Sequence, residues 1–171
     1  MLSLQTHMAQ RTEFPSIPNT ADTAYVPTLE ALFRELERQG GSVAFKAFRS
    51  WMKERNIYDK NEVEALFDFL GCTAKPEFTL GDFARRFLQL ESYEAKQAAL
   101  YRWIHVQNPF LTKYVFEALD VDAGGRLHST HELYRMITSY VYAGERVPLV
   151  DFQNWITWLS ASGHIKYIGI R

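Results

Sequence analysis

The sequence predicts a mostly helical protein of two paired helix–loop–helix units with short β contacts, and three observations predict it. Apolar residues recur three and four apart through most of residues 28–160, the period of a helix with one buried face. Glycines, twice as the pairs Gly40-Gly41 and Gly124-Gly125, punctuate those runs. The order of runs in the first half returns in the second, a divergent internal duplication.

Residues 1–27 carry Pro15, Pro18 and Pro27 and no helical period, so they read as a polar N-terminal tail. No basic stretch precedes a long apolar one there, which argues against a secretory signal. Residues 28–90 hold the first pair. Thr28 is the expected N-cap of a helix with the face Leu29, Leu32, Phe33 and Leu36, ended by Gly40-Gly41. Phe45, Phe48, Trp51 and Met52 form a second face, with Lys46, Arg49, Lys53 and Arg55 on its wet side. Val63, Leu66, Phe67 and Leu70 form a third, stopped by Gly71, and Pro76 lies in a loop. Thr79-Leu-Gly-Asp82 reads as a capping box with Asp in place of Glu, ahead of Phe83, Phe87 and Leu90. That helix runs on through Tyr93, Leu100, Trp103 and Ile104 until Asn108-Pro109 breaks it, which makes residues 91–109 a linking helix.

Residues 110–171 form the second, divergent unit. Tyr114, Val115, Phe116 and Leu119 give one face, ended by Gly124-Gly125. Leu133, Met136, Ile137 and Tyr140 give another. Val150, Trp155, Ile156 and Leu159 give a third, with Pro148 in its first turn and Gly163 at its close. Residues 164–171 are β-branched and aromatic and read as a strand. Leu32-Phe33, Leu36, Gly40-Gly41 and Val43 align with Val115-Phe116, Leu119, Gly124-Gly125 and Leu127.

Composition narrows the function. The chain has 171 residues, 47% hydrophobic and 23% charged, enough for a core without disulfides or metals. Its 19 basic and 20 acidic residues leave a net charge of −1, which argues against nucleic acid or an anionic membrane as a bulk partner. A lone cysteine, Cys72, excludes the disulfide-stapled secreted classes and fits an intracellular setting. No apolar run approaches the roughly 18–20 residues of a membrane span. Aromatics at 15% serve helix–helix cores and binding hot spots alike, and Trp51, Trp103, Trp155 and Trp158 are the candidates for partner contact.

Catalytic and cofactor motifs are not expected. Neither glycine pair is followed by Lys-Ser or Lys-Thr, so no phosphate-cradling loop is present. Cys72 has no local signature of a nucleophile paired with a histidine. His128-Ser-Thr-His131-Glu132 lacks the spacing of a helical zinc motif and reads as a helix N-terminus with Ser129 or Thr130 as cap. The basic face of Lys46, Arg49, Lys53 and Arg55 reads as solvated, because residues 26–90 hold 10 basic and 10 acidic residues.

The order of elements resembles two families. In the EF-hand pair a loop of about 12 residues offers oxygens from positions 1, 3, 5 and 12, with Gly at 6 and an apolar residue at 8 for the inter-loop β contact. Residues 116–127 resemble the incoming helix and first eight loop positions: Asp120 and Asp122 at 1 and 3, Gly125 at 6, Leu127 at 8. Position 12 is then His131, and the carboxylate, Glu132, comes one residue late. The first half has the spacing without the ligands. With Asp82 at position 12 and Phe78 at 8, positions 1, 3, 5 and 6 are Gly71, Thr73, Lys75 and Pro76. Upstream, Val43, Ala47 and Phe48 fit positions 8, 12 and 13 of a shortened loop. The resemblance covers residues 28–90 and 112–137. It implies a non-catalytic scaffold or assembly subunit with protein partners, calcium sensing lost or vestigial, and at most a weak site of Asp120, Asp122, the Arg126 carbonyl and Glu132.

The alternative resemblance is a tandem winged helix, three helices and a β wing, which the end of the chain fits. It implies DNA or protein binding, with Arg146, Gln153, Asn154, Lys166 and Arg171 as the residues facing DNA. The chemistry speaks against DNA, because residues 148–159 contain no basic residue.

Overall fold

A computed structural model describes residues 11–121, 129–139 and 147–165 of the chain. They form eight α-helices and one two-stranded antiparallel sheet, a mostly α fold with a short β contact. In order these are α1 (Tyr25–Arg38), β1 (Ser42–Ala44), α2 (Phe45–Glu54), α3 (Val63–Phe69), β2 (Glu77–Thr79), α4 (Asp82–Gln89), α5 (Tyr93–Gln107), α6 (Pro109–Val121), α7 (Thr130–Ser139) and α8 (Leu149–Ala161).

The face predicted for the first helix is buried throughout, but α1 starts ahead of Thr28, at Tyr25, directly off a 3-10 turn over Asp22–Ala24. Pro27 fits this first turn because its missing N–H has no intrahelical partner there. Tyr25 and Val26 extend the buried face. Gly40 and Gly41, at φ +95° and +93°, then turn the chain into β1.

In the sheet Ser42 faces Thr79, Val43 faces Phe78 and Ala44 faces Glu77. Thr79, expected in a capping box, is instead a ladder residue. Its N–H donates to the Thr73 carbonyl (3.0 Å), its carbonyl accepts from the Thr73 N–H (3.2 Å), and its hydroxyl meets that of Ser42 (3.1 Å). Gly81 takes the N-cap position of α4 without a side-chain cap. Only glycine fits there, since a Cβ would fall 1.9 Å from the Gly71 carbonyl oxygen.

The helix expected to run unbroken from Asp82 to Gln107 is two helices. Leu90 is extended, and Ser92 restarts the chain as the N-cap of α5, its Oγ accepting the Ala95 N–H at 3.0 Å. The break at Asn108-Pro109 falls where expected. Asn108 is fully buried, its Oδ1 accepts the Leu111 N–H (3.0 Å), and Pro109 opens α6. The core side of α6 is Leu111, Thr112 and Val115 rather than Tyr114, Val115 and Phe116, the latter two aromatics being half-buried. On α7 Leu133 and Ile137 are buried as expected. On α8 Phe152, Trp155, Ile156, Trp158 and Leu159 point inward, whereas Val150, expected among them, lies on the opposite side and is 61% exposed.

The stretch expected as a polar tail is, from Arg11 on, part of the fold. Phe14, Ile17 and Asp22 are buried, and the backbone of this segment is tied to both halves. The Arg11 N–H donates to the Gln107 carbonyl (2.7 Å) and the Phe14 N–H to Asp151 Oδ1 (2.8 Å). Asn154 Nδ2 donates to the Phe14 carbonyl (2.8 Å) and Trp158 Nε1 to that of Pro15 (2.7 Å). These bonds satisfy backbone groups that no strand or helix would pair, so the segment is held as a strap across α8. The strand expected at 164–171 falls, from residue 166 on, outside the described residues.

Candidate functional site

The paired loops and the aromatic faces behind them are where the sequence places function. Val43 and Phe78, the residues assigned to loop position 8, are the central partners of the sheet. Behind them Phe45 stacks on Phe78 with centroids 5.0 Å apart, and Phe48 and Phe67 lie 5.1 and 4.7 Å from the same ring. This cluster anchors α2 and α3 to the β contact. Such ring pairs prefer offset or edge-on contacts and contribute about 0.5–1.5 kcal/mol each beyond their area.

The second loop holds itself together with its own groups. Thr73 bonds Thr79 through the backbone. The Lys75 ammonium pairs with Glu64 (2.8 Å) and lies 5.2 Å from the Phe45 ring centroid, so the residue that the EF-hand resemblance sets at position 5 is a cation bound to the chain's own groups. Cys72 closes the loop: its Sγ accepts the Gly81 N–H at 3.4 Å, and burial pushes its thiol above the ordinary range, against thiolate chemistry. Among the described residues no group of three or more His, Cys, Asp or Glu side chains is placed to share a metal ion.

In the second unit Asp120 falls in the last turn of α6 and Glu132 in the first turn of α7. Ser129 is the N-cap, its Oγ accepting the Glu132 N–H at 3.0 Å. Asp122 and Arg126 lie outside the described residues, as do Arg146, Lys166 and Arg171. Of the remaining candidates for DNA contact, Gln153 is half-exposed, and Asn154 is committed to the strap.

The tryptophans divide. Trp155 and Trp158 are fully buried, a correction to their expected role in partner contact: α8 packs its aromatic side inward, Trp158 4.9 Å from Phe69 and 4.7 Å from Tyr25 between ring centroids. Trp103 is half-buried, stacks on Phe83 at 4.6 Å and donates its Nε1–H to the Phe69 carbonyl (2.9 Å), satisfying an orphan group at the end of α3. Phe14 sits 6.1 Å from Phe69 and 6.2 Å from Trp155. The outer aromatic face of the first unit, Phe69 and Phe83, is therefore covered from within the chain by α5, α8 and the strap. Trp51 is half-buried like Trp103, but it sits on α2, with Phe48 stacked on it at 5.1 Å and the Arg55 guanidinium 3.9 Å from its ring centroid.

Sequence reasoning missed the strap and the buried polar pair that locks α1 to α5. Lys96 is buried against Glu30, and its ammonium also lies 5.9 Å from the Phe87 ring centroid. Partial burial raises Glu30, but bonds from Lys96 and Arg34 outweigh it and hold the carboxyl below its ordinary range. Phe14 and Ile17, apolar residues spaced among prolines, were the available signal for the strap.

No family model, curated protein or solved structure matches this chain. Among the described residues no helix is long and apolar enough to cross a membrane.

Proposed function

We propose that this protein is a non-catalytic, intracellular assembly subunit: paired EF-hand-like units whose loops have lost calcium and whose outer surface contacts protein partners. The observation that carries the reading is the antiparallel pairing of Val43 with Phe78 between two helix–loop–helix segments. A β contact between apolar loop residues is how such units are joined back to back. The loops it joins place Gly71, Thr73, Lys75 and Pro76 at positions where an ion needs oxygens or a tight glycine turn. A groove that a calcium sensor opens for a target helix is here filled by Trp103, Trp158 and Phe14, which leaves contact with partners to the outer surface.

Affinity capture of the full chain from its own cells, in calcium and in chelator, tests this. The expected result is one stoichiometric protein complex, equally populated in both. Capture of no protein overturns the assembly reading. Capture only in calcium overturns the loss of sensing.

A further inference from the structure

We propose that the outward face of α2 is a docking surface for a short acidic segment of a partner protein. This deepens the assembly reading and rests on it. Lys46, Arg49 and Lys53 fall at i, i+3 and i+7, one stripe on the side of the helix away from the buried Phe48 and Met52. Lys46 and Lys53 are exposed and Arg49 half-exposed.

Among the described residues no carboxylate lies within ion-pair distance of these cations. The neighbouring α1 contrasts with this: Arg34 pairs with Glu30 (2.6 Å), and Arg38 pairs with Glu35 (2.6 Å). The composition of residues 26–90 balances, but the acids of α1 and α3 (Glu30, Glu35, Glu37, Glu64 and Asp68) are held in ion pairs, whereas the three cations of the α2 stripe are in none among the described residues. Beside the stripe lies the half-buried Trp51 with the Arg55 guanidinium over its ring, an aromatic and cationic border of the kind enriched at interfaces.

Size and flanks select the partner. Three cations over two turns span about 10 Å, the reach of carboxylates on two turns of a helix or on alternate residues of a short strand. Exposed acids bracket them, Glu77 opposite Ala44 before the helix and Glu54 at its last residue. A broad anionic surface, such as a membrane or a duplex, would meet those carboxylates and be repelled, whereas a short acidic segment fits between them. The docking energy is that of half-exposed ion pairs, so it sets specificity and salt dependence more than raw affinity.

Fluorescence anisotropy with the full chain tests this. The probe is a labelled alanine-rich helical peptide carrying Glu at i, i+4 and i+7, with its Gln counterpart, phosphatidylserine–phosphatidylcholine vesicles and duplex DNA as comparison arms. The expected result is preference for the Glu peptide, weakening with salt. Charge reversal by Lys46→Glu, Arg49→Glu and Lys53→Glu together weakens it about tenfold or more, and Lys46→Arg, Arg49→Lys and Lys53→Arg together keep it. The single change Arg49→Glu, expected to weaken binding in the same direction, serves if the triple reversal fails to fold. Equal binding by the charge-reversed chain, no binding by the wild type, or tighter binding to vesicles or duplex overturns the proposal. In the capture experiment, a complex that survives charge reversal sinks the α2 assignment and leaves the assembly reading standing; a wild type that captures nothing sinks the assembly reading itself.

Discussion

At the scale of single residues, two glycines separate conformational need from packing need. Gly40 and Gly71 both have positive φ, but a Cβ on Gly40 meets nothing, whereas one on Gly71 comes 3.0 Å from Trp103 Cη2. Gly40→Ala should cost about 1 kcal/mol of strain and Gly71→Ala about 2–3 kcal/mol, because it also displaces the indole from Phe83. Urea denaturation of the two variants checks the order. The Glu30–Lys96 pair gives a pH test. Glu30 is lowered on folding, so its bonds contribute fully above the ordinary carboxyl value of 4.5 and are lost as pH falls through the lowered one. Lys96→Met should therefore flatten the decline in stability below that pH and cost about 1–2 kcal/mol near neutrality. Residues whose role is periodic were legible in the sequence: Leu29, Leu32, Phe33 and Leu36 are all buried. Lys96 and Asn108 were not legible, because a polar side chain is buried only when a distant partner satisfies it, and that partner has no local signature.

At the scale of elements, the strap ties the two halves. Phe14 is fully buried between Phe69 of α3 and Trp155 of α8, so Phe14→Ala should destabilise by about 3–5 kcal/mol, measured by thermal or urea unfolding. Trp158→Phe keeps most of the ring contact but loses the bond to the Pro15 carbonyl, and should cost about 1–2 kcal/mol while exposing strap amides to hydrogen exchange. Prolines made this segment read as a tail. They disfavour helix, but they do not disfavour burial when indole and amide donors from another helix serve the carbonyls. The same limit explains the helix boundaries. A continuous 3.6-residue pattern carried the reading across Leu90–Ser92, where the cap by Ser92 and the extended Leu90 divide α4 from α5. On α6 apolar residues surround the helix, so periodicity found Val115 but did not select Leu111 and Thr112 over Tyr114 and Phe116.

At the scale of the whole molecule, the first unit was legible as a helix–loop–β–helix repeat because its turns depend on glycine and its β contact on two apolar residues, Val43 and Phe78, at fixed spacing. The covering of its aromatic face was not legible, because Trp103 and Trp158 carry the same sequence signature whether they meet a partner or their own chain. Under the proposed function, that covering leaves partner contact to the outer charged surface and no groove for calcium to open. Isothermal calorimetry of the full chain titrated with calcium tests this most directly. Loss of calcium sensing predicts no saturable heat in the micromolar range, since the first two loops offer no carboxylate at positions 1, 3 and 5, and at best a millimolar-class response from Asp120 and Asp122. A saturable micromolar site, removed by Asp120→Ala together with a calcium-dependent change in partner affinity, would contradict it and make this protein a sensor.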